Sequence, residues 1–371
     1  MENKYKLFIP GPVDVPDDVL ELMSTPCRPH YGDEWLTLYN DTIAALQQVF
    51  GTKNDIFIIP GAGSAALEAA IGSLLAPGEK ALILVNGFFS ERFGVIARAC
   101  GIETATVAVR WGEPVLPAQV EEALDADPEI KAVAVVHHET STGVLNPLRE
   151  IAEVVHAHSL PIVVDAVSSA GGVPLPVDEW GIECCVTVAN KCLETPPGIG
   201  MVAVSDRAWE MITARADRHR GWYLNLNVWH AYSQEWDWHP YPTTVPTNLI
   251  TALNYSLHKI LAEGLDARYA RFAEVARTVR QGLRELGFST LVSEPYASPL
   301  VTAVQGRPDI PADEVVRFLR EAHGLLLGGG IGPLSGKIFR VGHMGKAMTD
   351  EYVNCFLAAV RDLVARKASQ A

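Results

Sequence analysis

The sequence has no long apolar run, either at its beginning or further along. Residues 1–6 read Met-Glu-Asn-Lys-Tyr-Lys. They are not followed by the long apolar stretch that a signal peptide needs. No later segment has the roughly 20 consecutive apolar residues that a membrane-spanning helix requires. We therefore expect a soluble protein of the cytoplasm.

Clusters of basic residues are also absent, and the overall charge is acidic. Lysine and arginine number 30 against 44 aspartates and glutamates, which leaves a formal charge of −14. This balance argues against nucleic acids and acidic membrane surfaces as partners. It does not argue against a small anionic ligand, because local backbone N–H groups and a few side chains can hold a phosphate whatever the overall charge.

Paired cysteines are a third feature that the sequence lacks. Its six cysteines are scattered and form no CxxC pair, a pattern that suits free thiols in a reducing compartment. The adjacent histidines His137 and His138 would point to opposite faces of an extended segment, which argues against a shared metal site. We expect no metal and interpret both histidines as packing groups near a site.

The sequence does have a regular alternation of strand-like and helix-like segments from about residue 55 to 205. With 371 residues, 48% of them hydrophobic, the chain is long enough for two domains. Apolar runs rich in β-branched residues alternate with segments of helical period, which is typical of βαβ units in a parallel sheet. The predicted strands are 56–59, 81–85, 132–136, 161–164, 186–188 and 201–204, and the predicted helices are 65–75, 91–100, 117–126, 148–157 and 207–215.

The pattern changes after residue 205. Segment 222–238 contains four tryptophans and two tyrosines, and we interpret it as a surface-crossing segment at a subunit interface. A helical stretch over 247–286 follows, and then shorter elements typical of a small α+β unit. We predict an α/β fold with a large domain over 15–255, built on a mostly parallel sheet, and a smaller C-terminal domain over 256–371 that also includes residues 1–14.

Two residues at predicted strand ends are candidates for chemistry. Asp165 follows strand 161–164 and Lys191 follows strand 186–188, where the carboxyl ends of parallel strands open onto a ligand crevice. An aldehyde cofactor needs an amine to bind as an imine, and a carboxylate beside a pyridine nitrogen keeps the ring protonated and electron-withdrawing. Singly, either residue would be interpreted as a cap or a solvated loop residue. Together they indicate a site for such a cofactor.

Two segments resemble the paired Asp and Lys motifs of the class-V, fold-type-I aminotransferases, which use pyridoxal 5'-phosphate. They are Asp-Ala-Val-Ser-Ser-Ala-Gly-Gly over 165–172 and Ala-Asn-Lys-Cys-Leu-Glu-Thr-Pro-Pro-Gly-Ile-Gly over 189–200. The resemblance extends from Pro10 to Gly342. It is strongest to the alanine–glyoxylate and serine–pyruvate aminotransferase group, with similarity to pyridoxamine–pyruvate aminotransferase. It implies a seven-stranded sheet between helices, a Schiff base on Lys191, and Asp165 beside the ring nitrogen.

The resemblance also implies which residues bind the phosphate of the cofactor. Gly63 and Ser64 lie between a predicted strand and a predicted helix, so their N–H groups would meet the phosphate at a helix N-terminus. Asn190, next to the lysine, would contribute as well. Ala62 stands where the family commonly has Ser or Thr, so one hydroxyl contact is missing.

Three further residues match family positions around the cofactor ring. Phe89 would stack on the ring, and Val167 would pack on its opposite face. Thr140, within the motif His-His-Glu-Thr-Ser-Thr-Gly over 137–143, would form a hydrogen bond with the ring oxygen. For each of them, a plain packing role is the alternative.

Other matched positions concern the substrate and a second subunit. Arg340 matches the arginine that binds the substrate α-carboxylate through a two-pronged contact, and Pro12 would border the substrate. Tyr241 and Thr244 match positions that reach the phosphate of the neighbouring subunit's cofactor, which implies a homodimer with a shared active site. Ile331 stands where pyridoxamine–pyruvate aminotransferase has a second arginine.

The implied activity is transamination between a small amino acid, alanine or serine, and a small 2-oxo acid, glyoxylate or pyruvate. Lys191 would be both the tether and the acid–base catalyst. Pyridoxamine–pyruvate, ureidoglycine–glyoxylate and aminoethylphosphonate–pyruvate transfer remain alternatives. A lyase of the cysteine desulfurase kind fits less well, because Cys355 lies in a helical run and Cys192 adjoins the lysine.

Overall fold

A computed structural model describes residues 5–215 and 221–369 of the chain. Its strands are β1 (Lys6–Phe8), β2 (Asp55–Pro60), β3 (Lys80–Val85), β4 (Glu103–Ala108), β5 (Ile130–Val136), β6 (His138–Glu139), β7 (Val144–Leu145), β8 (Ile162–Asp165), β9 (Cys184–Val188), β10 (Ile199–Val204), β11 (Ser289–Thr290), β12 (Val301–Gln305), β13 (Leu325–Gly329) and β14 (Ile338–Gly342). Its α-helices are α1 (Asp17–Glu21), α2 (Asp33–Phe50), α3 (Gly63–Leu74), α4 (Phe88–Ala99), α5 (Pro117–Ala126), α6 (Leu148–Ala157), α7 (Asp206–Ala214), α8 (Leu226–Glu235), α9 (Thr247–Glu263), α10 (Leu265–Glu285), α11 (Ala312–His323) and α12 (Asp350–Ala368).

The larger sheet has seven strands in the order β2-β10-β9-β8-β5-β3-β4. From β9 to β4, every pair of neighbouring strands is parallel, whereas β10 is antiparallel to both β2 and β9. The central strands β8, β9 and β10 are buried along their whole length, as expected for a sheet that is covered on both faces. The predicted α/β fold with a mostly parallel sheet is confirmed.

Two strands of this sheet differ from the sequence-based expectation. The apolar run 201–204 predicts one more parallel strand, but β10 is antiparallel because only a loop joins it to β9, and a parallel connection needs a crossover of about a dozen residues or more. The pattern also misses β4, whose sequence Glu-Thr-Ala-Thr-Val-Ala is half polar. That composition suits a strand at the edge of the sheet, where burial is incomplete.

The helices of the first 215 residues largely begin and end where the periodicity predicts, although the pattern misses α2. The predicted helical stretch 247–286 is two helices, α9 and α10. They are separated at Gly264, whose φ of 84° lies in the left-handed region that favours glycine. Among the helices of the described residues, none has the length and apolar character needed to cross a membrane.

The aromatic segment, defined here as residues 222–244, has both buried and exposed aromatic side chains. It contains α8, a helix whose Trp229 is completely buried and donates a hydrogen bond from Nε1 to the carbonyl of Tyr223, at 2.7 Å. Trp222 and Trp238, at the two sides of this helix, are 52% and 54% exposed. The other residues of 222–238 are partly or fully exposed, so this stretch lies at the surface of the chain with Leu226 and Trp229 buried beneath it. Its predicted role as a subunit interface stays a prediction.

A second, five-stranded sheet has the order β1-β13-β14-β12-β11, with β1 parallel to β13 and the other pairs antiparallel. It has its own hydrophobic core, to which the N-terminal residues Phe8 and Val13 contribute, while a larger core surrounds the seven-stranded sheet. The division into two domains, with the N-terminus joined to the smaller one, stays a prediction. The boundary at residue 255, which falls within α9, stays a prediction.

Candidate active site

A cavity of about 490 Å³ opens at the carboxyl edge of the seven-stranded sheet. Its walls come from segments that follow β2, β3, β8 and β9, as expected for a ligand crevice in an α/β sheet. The lining residues are Ala62, Gly63, Ser64, Leu67, Phe89, Arg92, Asp165, Val167, Val188, Asn190, Lys191, Pro197 and Gly198. The structure thus brings together Gly63, Ser64, Phe89, Asp165, Val167, Asn190 and Lys191, all of which the sequence predicts as site residues.

Lys191 projects its amine toward the N-terminal segment. Nζ donates a hydrogen bond to the carbonyl of Pro10, and a Cβ on the next residue, Gly11, would overlap the lysine side chain. Burial lowers the pKa of Lys191 to about 8, and the positive charge of Arg340 adds to this decrease, whereas Asp165 opposes it. At neutral pH a lysine with a pKa near 8 has a far larger neutral fraction than an ordinary lysine, and nucleophilic attack on an aldehyde requires the neutral amine.

Asp165 ends β8, between β5 and β9 in the sheet. Its Oδ1 accepts a hydrogen bond from the N–H of Val167 at 2.9 Å, and Oδ2 has no hydrogen bond with the described residues. Burial raises the pKa of Asp165 to about 7, and the nearby carboxylate of Glu139 adds to the increase. A cation in the cavity, such as a protonated pyridine nitrogen, would therefore be stabilised strongly by this carboxylate.

The N-terminus of α3 also borders the cavity. Its first N–H groups have no acceptor within the helix, and no side chain caps them, because Ala62 occupies the N-cap position. A Cβ on Gly63 would lie 2.9 Å from methyl groups of both Val167 and Val188, so glycine is needed for the close approach of this turn. Free N–H groups at a helix N-terminus, beside the hydroxyl group of Ser64, form an anion-binding site.

Glu139, which the sequence analysis did not single out, fixes the start of α4. Its completely buried carboxylate accepts hydrogen bonds from the N–H of Ser90 at 2.9 Å and from the hydroxyl groups of Ser90 and Ser141, at 3.0 and 2.6 Å. The N–H of Phe89 is 3.4 Å from the same carboxylate. Because α4 begins at Phe88, these contacts hold Phe89 at the wall of the cavity. The only sequence signal for Glu139 is its position in the motif 137–143.

Arg340 joins the smaller sheet to the segment that follows β5. It lies in β14, where its Nε donates to the carbonyl of Gly329 at 2.9 Å and its Nη1 donates to the carbonyl of Thr140 at 3.1 Å. Burial lowers the pKa of Arg340 to about 10, and Glu139 opposes this decrease, so the guanidinium is charged at neutral pH. Nη2 has no hydrogen bond with the described residues. The predicted hydrogen bond of Thr140 with the ring oxygen of the cofactor, and the predicted contact of Arg340 with the substrate carboxylate, stay predictions.

Five predicted site residues do not line the cavity: Thr140 and Arg340, whose contacts are given above, and Tyr241, Thr244 and Pro12. Tyr241 is completely buried within its own chain, where its hydroxyl donates to the carbonyl of His30 and accepts from Nε1 of Trp35 at 2.6 Å. Thr244 and Pro12 are exposed, and Pro12 adjoins the glycine that contacts the lysine. The contact of Tyr241 and Thr244 with a second subunit, and that of Pro12 with substrate, stay predictions.

The two adjacent histidines are buried and belong to the packing around the site. Burial lowers the pKa of His137 to about 3 and that of His138 to about 4, so both are neutral. Nδ1 of His138 lies 3.1 Å from the carbonyl of Ser168, in the turn that follows Asp165. Within the described ranges, no group of three or more His, Cys, Asp or Glu residues could hold a metal ion.

Arg92 is the second residue of the site that the sequence analysis missed. It lies one helical turn after Phe89 in α4 and lines the same cavity. Its guanidinium is 4.7 Å from the ring centroid of Phe88 and 5.3 Å from that of Phe89. The spacing of three residues after a predicted ring-stacking aromatic is the sequence signal that could have identified it.

The chemistry of this donor set fits pyridoxal phosphate. The cavity offers an amine of lowered pKa, a buried carboxylate and an anion-binding helix N-terminus, which match the aldehyde, the pyridine nitrogen and the phosphate. Its volume of about 490 Å³ lies within the usual range of small-molecule sites.

Comparisons with known proteins agree with this chemistry. The model of the family "Aminotransferase class-V" matches residues 26–333. The chain is 41% identical over 342 residues to an uncharacterized aminotransferase of Methanocaldococcus jannaschii, covering 92% of this chain and 88% of that relative. It is 32% identical over 349 residues to the serine–glyoxylate aminotransferase of Methylorubrum extorquens, covering 92% and 87%. The crystal structure of an alanine–glyoxylate aminotransferase from Nostoc sp. matches with a TM-score of 0.93 at 31% identity, over 98% of this chain and 96% of that one.

These matches extend over both sheets and over the residues that follow β2, β3, β8 and β9. They confirm the predicted fold type, the enzyme class and the cofactor, pyridoxal phosphate. The chain belongs to the class-V aminotransferases.

Proposed function

We propose that this aminotransferase transfers an amino group between a small amino acid, alanine or serine, and a small 2-oxo acid, glyoxylate or pyruvate. The observation that carries the proposal is the environment of Arg340. Arg340 as a residue is 7% exposed, and its guanidinium donates hydrogen bonds to the backbone carbonyls of Gly329 and Thr140. Position 331, two residues after Gly329 in the chain, is an isoleucine. One fixed cation suits a substrate with a single carboxylate, and no second cation stands at position 331 to bind another anionic group.

Arg340 would orient the substrate for reaction. Nε and Nη1 are engaged by the carbonyls of Gly329 and Thr140, which fixes the plane of the guanidinium. Nη2 remains available, and together with Nη1 it can meet the two oxygens of an α-carboxylate. Because the side chain is already fixed, little conformational entropy is lost when the substrate binds.

Lys191 would act as the acid–base group. Bound pyridoxal phosphate supplies an electron-withdrawing ring that weakens the Cα–H bond of the substrate. With a pKa lowered to about 8, Nζ of Lys191 can accept the Cα proton and later release it near neutral pH. Asp165, whose negative charge is costly in the cavity without a counter-charge, would hold the proton on the ring nitrogen.

A shared site in a homodimer is part of the proposal. Trp222 and Trp238 expose about half of their surface in the single chain, and aromatic residues are enriched at interfaces. Thr244, also exposed, could then reach a partner's phosphate.

A cytoplasmic location is supported by the cysteines, since all six are free thiols.

The alternatives within the family differ in substrate. Ile331 and Ala62 are the features that bear on pyridoxamine–pyruvate transfer, because neither offers the charged side chain that this reaction would use. Ureidoglycine–glyoxylate and aminoethylphosphonate–pyruvate transfer remain candidates. A cysteine-dependent lyase is disfavoured, because burial raises the pKa of Cys192 to about 12 and so removes its thiolate at neutral pH.

A panel of donors tests the proposal. Purified enzyme is assayed with L-alanine, L-serine, L-aspartate, (S)-ureidoglycine, 2-aminoethylphosphonate and pyridoxamine, each with glyoxylate and with pyruvate. We expect kcat/KM to be highest for L-alanine or L-serine. Arg340→Gln should lower kcat/KM for these donors by about 100-fold, because a buried charge-assisted contact to the carboxylate is lost.

Arg277→Gln is the matched control, since Arg277 is exposed and contacts Glu274 and Gln281 on the surface of α10, away from the site. Its kinetics should equal those of the wild type, and both variants should retain the cofactor. Preference for a donor without an α-carboxylate, or normal alanine kinetics in Arg340→Gln, would contradict the proposal.

A further inference from the structure

Arg92 is a charged residue in the cavity that the proposed mechanism does not use. Its guanidinium stacks near the rings of Phe88 and Phe89, and it has no acidic partner and no hydrogen bond among the residues that the structure describes. Lys191 is the other cationic residue that lines the cavity. Its amine donates a hydrogen bond to the carbonyl of Pro10 and is the group that would bind the aldehyde of the cofactor. Arg92 is therefore a free positive charge in this cavity.

The phosphate of the cofactor needs more positive charge than the loop before α3 provides. The start of α3 offers backbone N–H groups, which carry only the partial positive charge of a helix N-terminus, and the neutral hydroxyl of Ser64, while Ala62 offers no side-chain donor. A phosphate ester carries nearly two negative charges at neutral pH, and this chain has a formal charge of −14. Hydrogen bonds from a cation to such a group are about twice as strong as those from neutral donors.

The stacking contacts fit this requirement. A guanidinium over an aromatic face is held in a fixed plane while its N–H groups at the edge stay free to donate. Arg92 follows Phe89 by one helical turn, and the buried carboxylate of Glu139 fixes the start of that helix. The position of the charge is thus set by the same helix that places the ring-stacking residue.

We propose that Arg92 binds the phosphate of pyridoxal phosphate and takes the role of the hydroxyl that is missing at Ala62. Arg92, Ser64 and the N–H groups at the start of α3 together form the phosphate site. The inference depends on the identity of the cofactor and is independent of which amino acid reacts.

Cofactor titrations without turnover test this proposal. Cofactor-free wild type and Arg92→Gln are titrated with pyridoxal phosphate and with pyridoxal, which lacks the phosphate, and the Kd is measured from absorbance and tryptophan fluorescence. We expect Arg92→Gln to raise the Kd for pyridoxal phosphate by about 10- to 100-fold, the range for loss of a charge-assisted hydrogen bond. The Kd for pyridoxal should change less than about twofold, because it has no phosphate for the arginine to bind.

Three further variants sharpen the result. Arg98→Gln is the matched control, because Arg98 lies in the same helix but forms a hydrogen bond with Thr104 outside the cavity. It should leave both Kd values unchanged. Arg92→Lys should fall between wild type and Arg92→Gln, and adding Ala62→Ser to Arg92→Gln should restore part of the affinity for pyridoxal phosphate only.

Other outcomes would overturn the proposal. An equal loss of affinity for pyridoxal phosphate and pyridoxal would mean that Arg92 only positions Phe89. Unchanged affinity for both, with a raised KM for dicarboxylic donors alone, would make Arg92 a substrate-binding residue instead. A change in oligomeric state in Arg92→Gln, measured by sedimentation at equal protein concentration, would assign it to an interface.

Discussion

The carboxyl edge of the seven-stranded sheet and the aromatic segment were both predicted to carry site residues, and they differ in how well sequence could predict them. At the sheet edge, Asp165 and Lys191 lie directly after buried strands and meet in one cavity. In the aromatic segment, Tyr241, which was predicted to reach a second subunit, is buried inside its own chain. The difference teaches that positions defined by strand ends follow from local pattern, whereas positions in irregular segments depend on long-range packing.

The largest effect is expected from removing the amine at the sheet edge. Lys191→Ala should reduce kcat for transamination by at least about 10³-fold, because both the covalent tether and the group that accepts the Cα proton are lost. The absorbance of the bound cofactor should also change, since no lysine imine can form at this position.

Lys53→Ala is its control, because Lys53 is exposed and its side chain has no contact with the site. It should behave as the wild type in both measurements. A Lys191→Ala enzyme that still interconverts amino and oxo acids at the normal rate would falsify the assignment of the lysine and remove the contrast between the two regions.

Pairs of neighbouring residues show which parts of the site can be predicted from sequence and which cannot. Phe89 was predicted through its motif, but Arg92, three residues later, was not, because an exposed arginine on a helix is ordinarily a solvated residue. Thr140 was predicted, whereas Glu139 was missed, because nothing local shows that its carboxylate accepts the N–H groups at the start of a helix some fifty residues earlier. The order of the strands likewise depends on pairings between segments that are distant in the chain, such as β2 with β10.

The second prediction concerns the free-energy cost of the buried carboxylate of Asp165 at the sheet edge when no cofactor is bound. Burial raises the pKa of Asp165 to about 7, whereas an unperturbed aspartate has a pKa of 3.8. The folded protein therefore binds one more proton than the unfolded chain between these two pH values. This lowers its stability as pH rises through that window, and the loss is complete above about pH 7.

Asp165→Asn should remove this cost. In the cofactor-free protein we expect its free energy of unfolding to exceed that of the wild type by about 2 to 4 kcal/mol at pH 8 and to approach it near pH 4. The measurement is urea denaturation at fixed protein concentration over pH 4–8. A difference that does not vary with pH would contradict the assignment. Asp237→Asn, an exposed aspartate of the aromatic segment, should change stability by less than about 0.5 kcal/mol.

The smallest effect is expected in the aromatic segment, and it separates two roles for Tyr241. Tyr241→Phe leaves Nε1 of Trp35 and the carbonyl of His30 without their partner, so the free energy of unfolding should fall by about 1 to 3 kcal/mol. Tyr232→Phe is the control, because that hydroxyl has no hydrogen bond with the described residues, and stability should change by less than about 0.5 kcal/mol.

Cofactor affinity completes this last test. If the hydroxyl serves only its own chain, Tyr241→Phe should lower stability while the Kd for pyridoxal phosphate stays within about twofold of the wild-type value. A raised Kd with unchanged stability would mean that the hydroxyl leaves Trp35 in the assembled enzyme and reaches a partner's phosphate. The aromatic segment would then belong to the active site, as the sheet edge does. The burial of Tyr241 within its own chain would describe only the unassembled protein.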